Sequence, residues 1–189
     1  MAILSLVITV FGLCASPHPI ILVLVYAIHE LGHLVFATLV GAKMKKIKLG
    51  AFHLSLSYDS SHLSYQREIL VCLGGIIFNL ASALLAFLLP IKNEGMTFFI
   101  IASILLSLMN LYPASILDGA GALKALLYLL VSLPKADKII GGVSVFAILL
   151  IWLISIYLQL VFYSNFSIFI ISVILLIELC FSVSEQIQP

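Results

Sequence analysis

The sequence predicts an all-α polytopic membrane protein of about six transmembrane helices, with a small β-hairpin at the cytoplasmic membrane surface. Three observations predict it. Of the 189 residues, 63% are hydrophobic and only 9% charged, with a mean hydropathy of +1.29, whereas a soluble domain carries about 25% charged residues. The apolar residues fall in long runs between short turn signals, most of them near the roughly 20 residues that a spanning helix needs. One loop, after the second run, switches to period two, which is the signature of strands. The chain has room for a single domain over residues 1–189 and none for a second.

The first run, about 2–15, is short for a bilayer of about 30 Å at 1.5 Å per residue. No Lys or Arg precedes it, so it reads as a short first span and not as a cleaved signal peptide. Ser16-Pro17-His18-Pro19 breaks it from the second span, 20–42. In the loop that follows, Ile47 and Leu49 alternate with lysines, and Phe52, Leu54, Leu56 and Tyr58 alternate with His53, Ser55 and Ser57. That pattern predicts two strands bent near Gly50-Ala51, with one edge left open. The third span is 67–90 and the fourth 96–112, with Lys92-Asn93-Glu94-Gly95 turning the chain between them. An apolar segment, 113–133, opens as a loop at Pro113. The last two spans, 139–163 and 166–183, are separated by Tyr163-Ser164-Asn165. Cys14, Cys72 and Cys180 each sit in an apolar run and read as small buried hydrophobes.

Charge fixes an orientation. Lys43, Lys45, Lys46, Lys48 and Arg67 flank the loop between spans two and three, and Lys124, Lys135 and Lys138 lie before the fifth span. Lys92 alone falls in the opposite class of loop. The positive-inside rule then predicts a multi-pass protein of the cell membrane, with the N-terminus and the 43–67 loop cytoplasmic. A net charge of +1 gives no reason to expect a nucleic-acid partner; the bilayer itself is the first partner.

Inside the second span, the only charged or imidazole side chains from Ile20 to Ala42 are His29, Glu30 and His33. Each costs roughly 2.5–3.5 kcal/mol at the bilayer centre on insertion scales. Together they spell H-E-x-x-H. Positions i and i+4 share one face of a helix, so two imidazoles can reach one Zn²⁺, and the Glu can take a proton from a water activated by the metal. The alternative is polar glue between helices. His33 lies ten residues before Lys43, about 15 Å from the cytoplasmic side at 1.5 Å per residue.

A catalytic zinc site needs a third protein ligand and an open fourth position. A third His six residues after His33 is absent: Leu39 stands there. Glu178, near the end of the last span, can snorkel to the cytoplasm, and Asp59, Glu68 and Asp137 sit in or beside loops. Asp118, in NLYPASILDGAGAL on the cytoplasmic side of the fourth span, is the best third ligand by position; it could instead cap the helix that follows.

HELGH followed by N-x-x-P-x-x-x-L-D-G, here Asn110 to Gly119, with G-x-x-x-N between them as Gly75 to Asn79, resembles the site-2 protease family of intramembrane zinc metalloproteases. The resemblance covers a core of about 20–133. In layout it is similar to the compact branch that includes the sporulation protease acting on a pro-sigma factor. This chain has Ile76 where the family often has Pro, and Ala120-Gly121-Ala122-Leu123 where it often has Gly and then Arg. The resemblance implies one Zn²⁺ per chain on His29, His33 and Asp118, and Glu30 as general base. It also implies that Asn79 and Asn110 hold substrate or the developing oxyanion. For Asn79 an interhelical hydrogen bond is an equal alternative.

The expected activity is a zinc metalloendopeptidase cutting within or near the transmembrane segment of another membrane protein, in regulated intramembrane proteolysis. Neither a PDZ nor a nucleotide-sensing domain is expected, so control would come from a regulatory membrane partner or from substrate supply. The rival classes are a membrane metal transporter and a non-catalytic membrane scaffold. A transporter would stack ligands along a path through several spans, and spans five and six offer almost none. A scaffold would have lost base or ligands.

Overall fold

The computed structural model describes residues 18–50, 53–59, 63–91, 93–114 and 117–162, with 173, 176 and 177 as isolated helical positions. Helix α1, Pro19–Leu39, starts on Pro19 in its first turn, where the missing N–H would have had no intrahelical partner anyway. It ends in a glycine-dependent cap. Gly41 takes φ 74, its N–H bonds Thr38 O at 3.1 Å, and the N–H of Ala42 reaches back to Ala37 O at 2.9 Å. That is the Schellman pattern, and it turns the chain into the surface strands.

The backbone of Lys43–Gly50 (β1) pairs antiparallel with that of His53–Asp59 (β2), Lys43 opposite Asp59 and Gly50 opposite His53. The residues that would close a hairpin, 51 and 52, lie outside the described residues. Helix α2, Tyr65–Leu88, runs up to Pro90. Helix α3, Glu94–Leu111, is capped by Asn93, whose Oδ1 accepts from Met96 N at 2.8 Å, and it stops short of Pro113. A short α4, Asp118–Leu130, is followed by the long α5, Leu133–Phe162.

Among the described residues, four helices are long and apolar enough to cross a membrane: α1, α2, α3 and α5. The expected spans at 2–15 and 166–183 fall outside the described residues, apart from the three isolated positions. Helix α4 has 13 residues, about 20 Å at 1.5 Å per residue, too short to span. The fifth span was expected from 139, but its helix begins at Leu133. Lys135, Asp137 and Lys138 made that turn read as a loop. Pro134 suits a first helical turn, and Lys135 N and Ala136 N both bond Ser132 O at 3.0 Å, so the charged residues form the polar first turn of a longer helix.

Helix α2 is central and packs against α1, α3 and α4. The packing depends on small residues, because lipid tails compete equally well for apolar surface and only close backbone approach favours helix on helix. A Cβ on Gly32 of α1 would meet the carbonyl oxygen of Gly74 on α2, and one on Gly119 of α4 would meet the carbonyl oxygen of Leu111 at the end of α3. Ala37, Ala83, Ala86, Ala120, Ala122 and Ala125 fill the interior, while Leu84, Leu85, Phe87 and Leu88 turn outward. The Tyr112 hydroxyl donates to Ala147 O at 2.7 Å, tying the end of α3 to α5.

Candidate metal centre

His29 and His33, one helical turn apart on α1, both face α2. His29 is 3% exposed. Asp118, 5% exposed, arrives from the first turn of α4, 85 residues beyond His33. Its Oδ2 lies 3.0 Å from His29 Nε2 and 3.1 Å from His33 Nε2, and the two Nε2 atoms are 3.2 Å apart. Three donor atoms thus form a nearly equilateral triangle. Ligands of a tetrahedral zinc with bonds of 2.0–2.1 Å lie about 3.3 Å from one another, so this triangle fits that ion. Among the described residues this is the one such group of His, Cys, Asp or Glu.

Each part has a local cause. Leu117, not Asp118, takes the N-cap position of α4, and no side chain caps that end. The carboxylate is therefore turned to the imidazoles and not to its own helix, which sets aside the capping alternative. Gly119 lets α4 start hard against Leu111, bringing Asp118 down to α1. Gly75 of α2 leaves the space in which the rings lie: a Cβ there would come within 2.6 Å of both His29 Cε1 and His33 Nε2.

The rings are also held from behind. His33 Nδ1 lies 2.8 Å from the Val71 carbonyl oxygen. A carbonyl only accepts, so Nδ1 carries the proton and the Nε2 lone pair faces the triangle, the tautomer a metal requires. On the far side of His29, the amide of Asn79 lies 3.4 Å from Nδ1. Glu30 is half-buried beside this group and has no hydrogen-bond partner among the described residues. Asn110 is not drawn to the triangle by any hydrogen bond; its amide nitrogen donates to Leu106 O of its own helix at 3.0 Å.

Val71 and Gly75 shape this cluster in ways that sequence reasoning missed. The available signal was spacing: 71, 75 and 79 are four apart, so they line one face of α2.

No protein-family model matches the chain, and no curated protein matches it. Among solved structures it is similar to the site-2 protease from Methanocaldococcus jannaschii, with a TM-score of 0.64 and 21% identity over 92% of this chain and 83% of that one. At that identity the likeness is one of architecture: this chain has the fold of a site-2 protease.

Proposed function

We propose that this chain is an intramembrane zinc metalloendopeptidase of the site-2 protease type, holding one zinc per chain and cutting peptide bonds in or near the transmembrane segment of another membrane protein. The observation that carries this reading is the triangle of His29, His33 and Asp118 donor atoms, 3.0–3.2 Å on a side, buried within a bundle of that fold. A set of three protein ligands, which leaves the fourth position to water or substrate, is the catalytic pattern, not the closed structural one. A bound zinc supplies a Lewis acid that polarises the scissile carbonyl and acidifies water.

The protein's own groups do the rest. Glu30 follows His29 directly, so its carboxylate points about 100° round α1 from the ligand face while staying beside it. It takes a proton from the attacking water and returns it to the leaving amine. Asn110, half-buried at the end of α3, holds substrate or the developing oxyanion; its Nδ2 would leave the Leu106 carbonyl to do so. A substrate helix hides its backbone and must open locally. An unpaired edge of the β1–β2 pair could hold the opened stretch by strand addition. The N-terminus and the 43–67 loop face the cytoplasm in this reading, the catalytic core spans about 20–133 of a single domain, and a regulatory membrane partner governs access in regulated intramembrane proteolysis.

The test is co-expression of candidate single-span membrane proteins with the wild type and with Glu30→Gln. A cleaved band should appear with the wild type and fall 10²–10⁴-fold with the variant, the usual worth of a general base. Purified Glu30→Gln should keep about one zinc per chain. Loss of zinc would make Glu30 a ligand, and undiminished cleavage would remove it from the mechanism.

A further inference from the structure

Asn79 is 0% exposed, and its Oδ1 finds no hydrogen-bond partner among the described residues. A buried amide oxygen without a donor is destabilising, so the group needs an explanation. Its Nδ2 lies 3.4 Å from His29 Nδ1, the ring nitrogen on the side away from Asp118. We propose that Asn79 is a positioning residue for His29: its Oδ1 accepts the Nδ1–H of His29 in the metal-loaded protein, fixing the tautomer that leaves Nε2 free and holding the ring at its angle. The inference rests on the metalloprotease reading above, in that His29 is taken as a ligand.

The argument turns on which end of the amide faces the ring. With Nδ2 toward Nδ1, the amide donates and the Nδ1 lone pair accepts. The neutral ring then carries its proton on Nε2 and donates it to Asp118 Oδ2 at 3.0 Å. That arrangement leaves Nε2 no lone pair for a metal. A half-turn of the amide exchanges two ends of nearly equal size. Oδ1 then sits at Nδ1, the proton moves to Nδ1, and Nε2 is open. The same half-turn gives the orphan oxygen its missing donor.

His33 supplies an internal comparison. Its Nδ1 already meets a carbonyl oxygen, that of Val71, at 2.8 Å. Val71 and Asn79 lie on one face of α2 two turns apart, with Gly75 midway beneath both rings. One helix face thus provides an acceptor for each imidazole and the gap between them. Asn79 reaches His29 from behind the ring, so the imidazole separates it from the triangle. That placement suits a partner of the ligand and not a contact to substrate.

The experiment measures zinc affinity of the purified full chain in detergent, by competition with a chromophoric chelator, for the wild type, Asn79→Leu, Asn79→Asp and His29→Ala. Losing an outer partner of a ligand typically costs 10–100-fold in metal affinity. Asn79→Leu, close in size and without an acceptor, should lose that much while keeping helical circular dichroism and a single elution peak. Asn79→Asp, which keeps an acceptor at the same place, should stay within a few-fold of the wild type. Wild-type affinity in Asn79→Leu, or an equal loss in both variants, overturns the inference. Should the Leu variant fail to fold, the Asp variant decides: retained affinity supports the role, and a folded Asp variant that has lost zinc overturns it. If His29→Ala abolishes binding while Asn79→Leu leaves it intact, the inference alone fails. A wild type that takes up no zinc overturns the metalloprotease reading with it.

Discussion

Asp118 is a buried carboxylate set against two imidazoles, and its charge distinguishes a ligand from a polar spacer. Asp118→Asn keeps size and hydrogen bonding but replaces a zinc donor by a neutral amide, which zinc does not favour. The helix should tolerate it, because Leu117 and not Asp118 holds the N-cap position. The variant should therefore insert and fold, yet bind zinc and cleave more than about 100-fold less well, beyond the 10–100-fold typical of an outer partner. Zinc content and cleavage measured on one preparation check this; full values of both would remove Asp118 from the ligand set. At this scale the cluster was legible: the sequence singles out the side chains of His29, His33 and Asp118 as candidate ligands, and their donor atoms meet. The hold on His33 was not. Its partner is the backbone oxygen of Val71, and every residue type carries one.

Within the elements, the tolerance that bears on the imidazoles is at Gly75 of α2. A Cβ there would come within 2.6 Å of His29 Cε1 and His33 Nε2 and within 2.7 Å of His29 Nδ1, and neither ring can retreat without leaving Asp118. Gly75→Ala should leave the helix intact, since Ala favours helix over Gly by about 1 kcal/mol, but lower zinc affinity at least about 10-fold. Gly141→Ala on α5, where a Cβ would meet nothing within 4 Å, is the control and should bind zinc as the wild type does. Chelator competition on the two variants decides; equal affinity would mean the rings do not need the Gly75 gap. The sequence showed Gly75 as part of a spacing, not as a space, because the rings that fill the space belong to another helix. Helix boundaries were legible where turn residues marked them: the fourth span, expected at 96–112, is the helix Glu94–Leu111. They were not legible at Leu133, where charge masked a helix start that backbone bonds to Ser132 make plain.

For the molecule as a whole, the helical character and the four described spanning helices could be read from apolar run lengths, since a bilayer fixes helix length much as it fixes composition. The meeting of α1 with α4 through α2 could not, because it depends on Gly32, Gly74 and Gly119 allowing backbones to touch. What remains to be tested is which way the bundle faces. Helices α2 and α3 follow one another closely, with Asn93 at the start of α3, so Ser64 and Asn93 lie at opposite ends of α2. In the sequence, eight of the nine Lys and Arg residues fall in or beside the 43–67 and 124–138 segments, whose flanking helices meet at Tyr65 and Tyr128, and Lys92 alone falls between the sequences of α2 and α3. The positive-inside rule then sets the sign. Reporter fusions near residues 45 and 135 should report cytoplasm, and a fusion at 93 should report the outside. Reversing the local balance, by neutralising Lys43, Lys45, Lys46 and Lys48 together, should lower the share of molecules in that orientation. A cytoplasmic signal at 93 in the unmodified chain would invert the bundle. His33 would then lie about 15 Å from the opposite face, and water and substrate would have to enter from there.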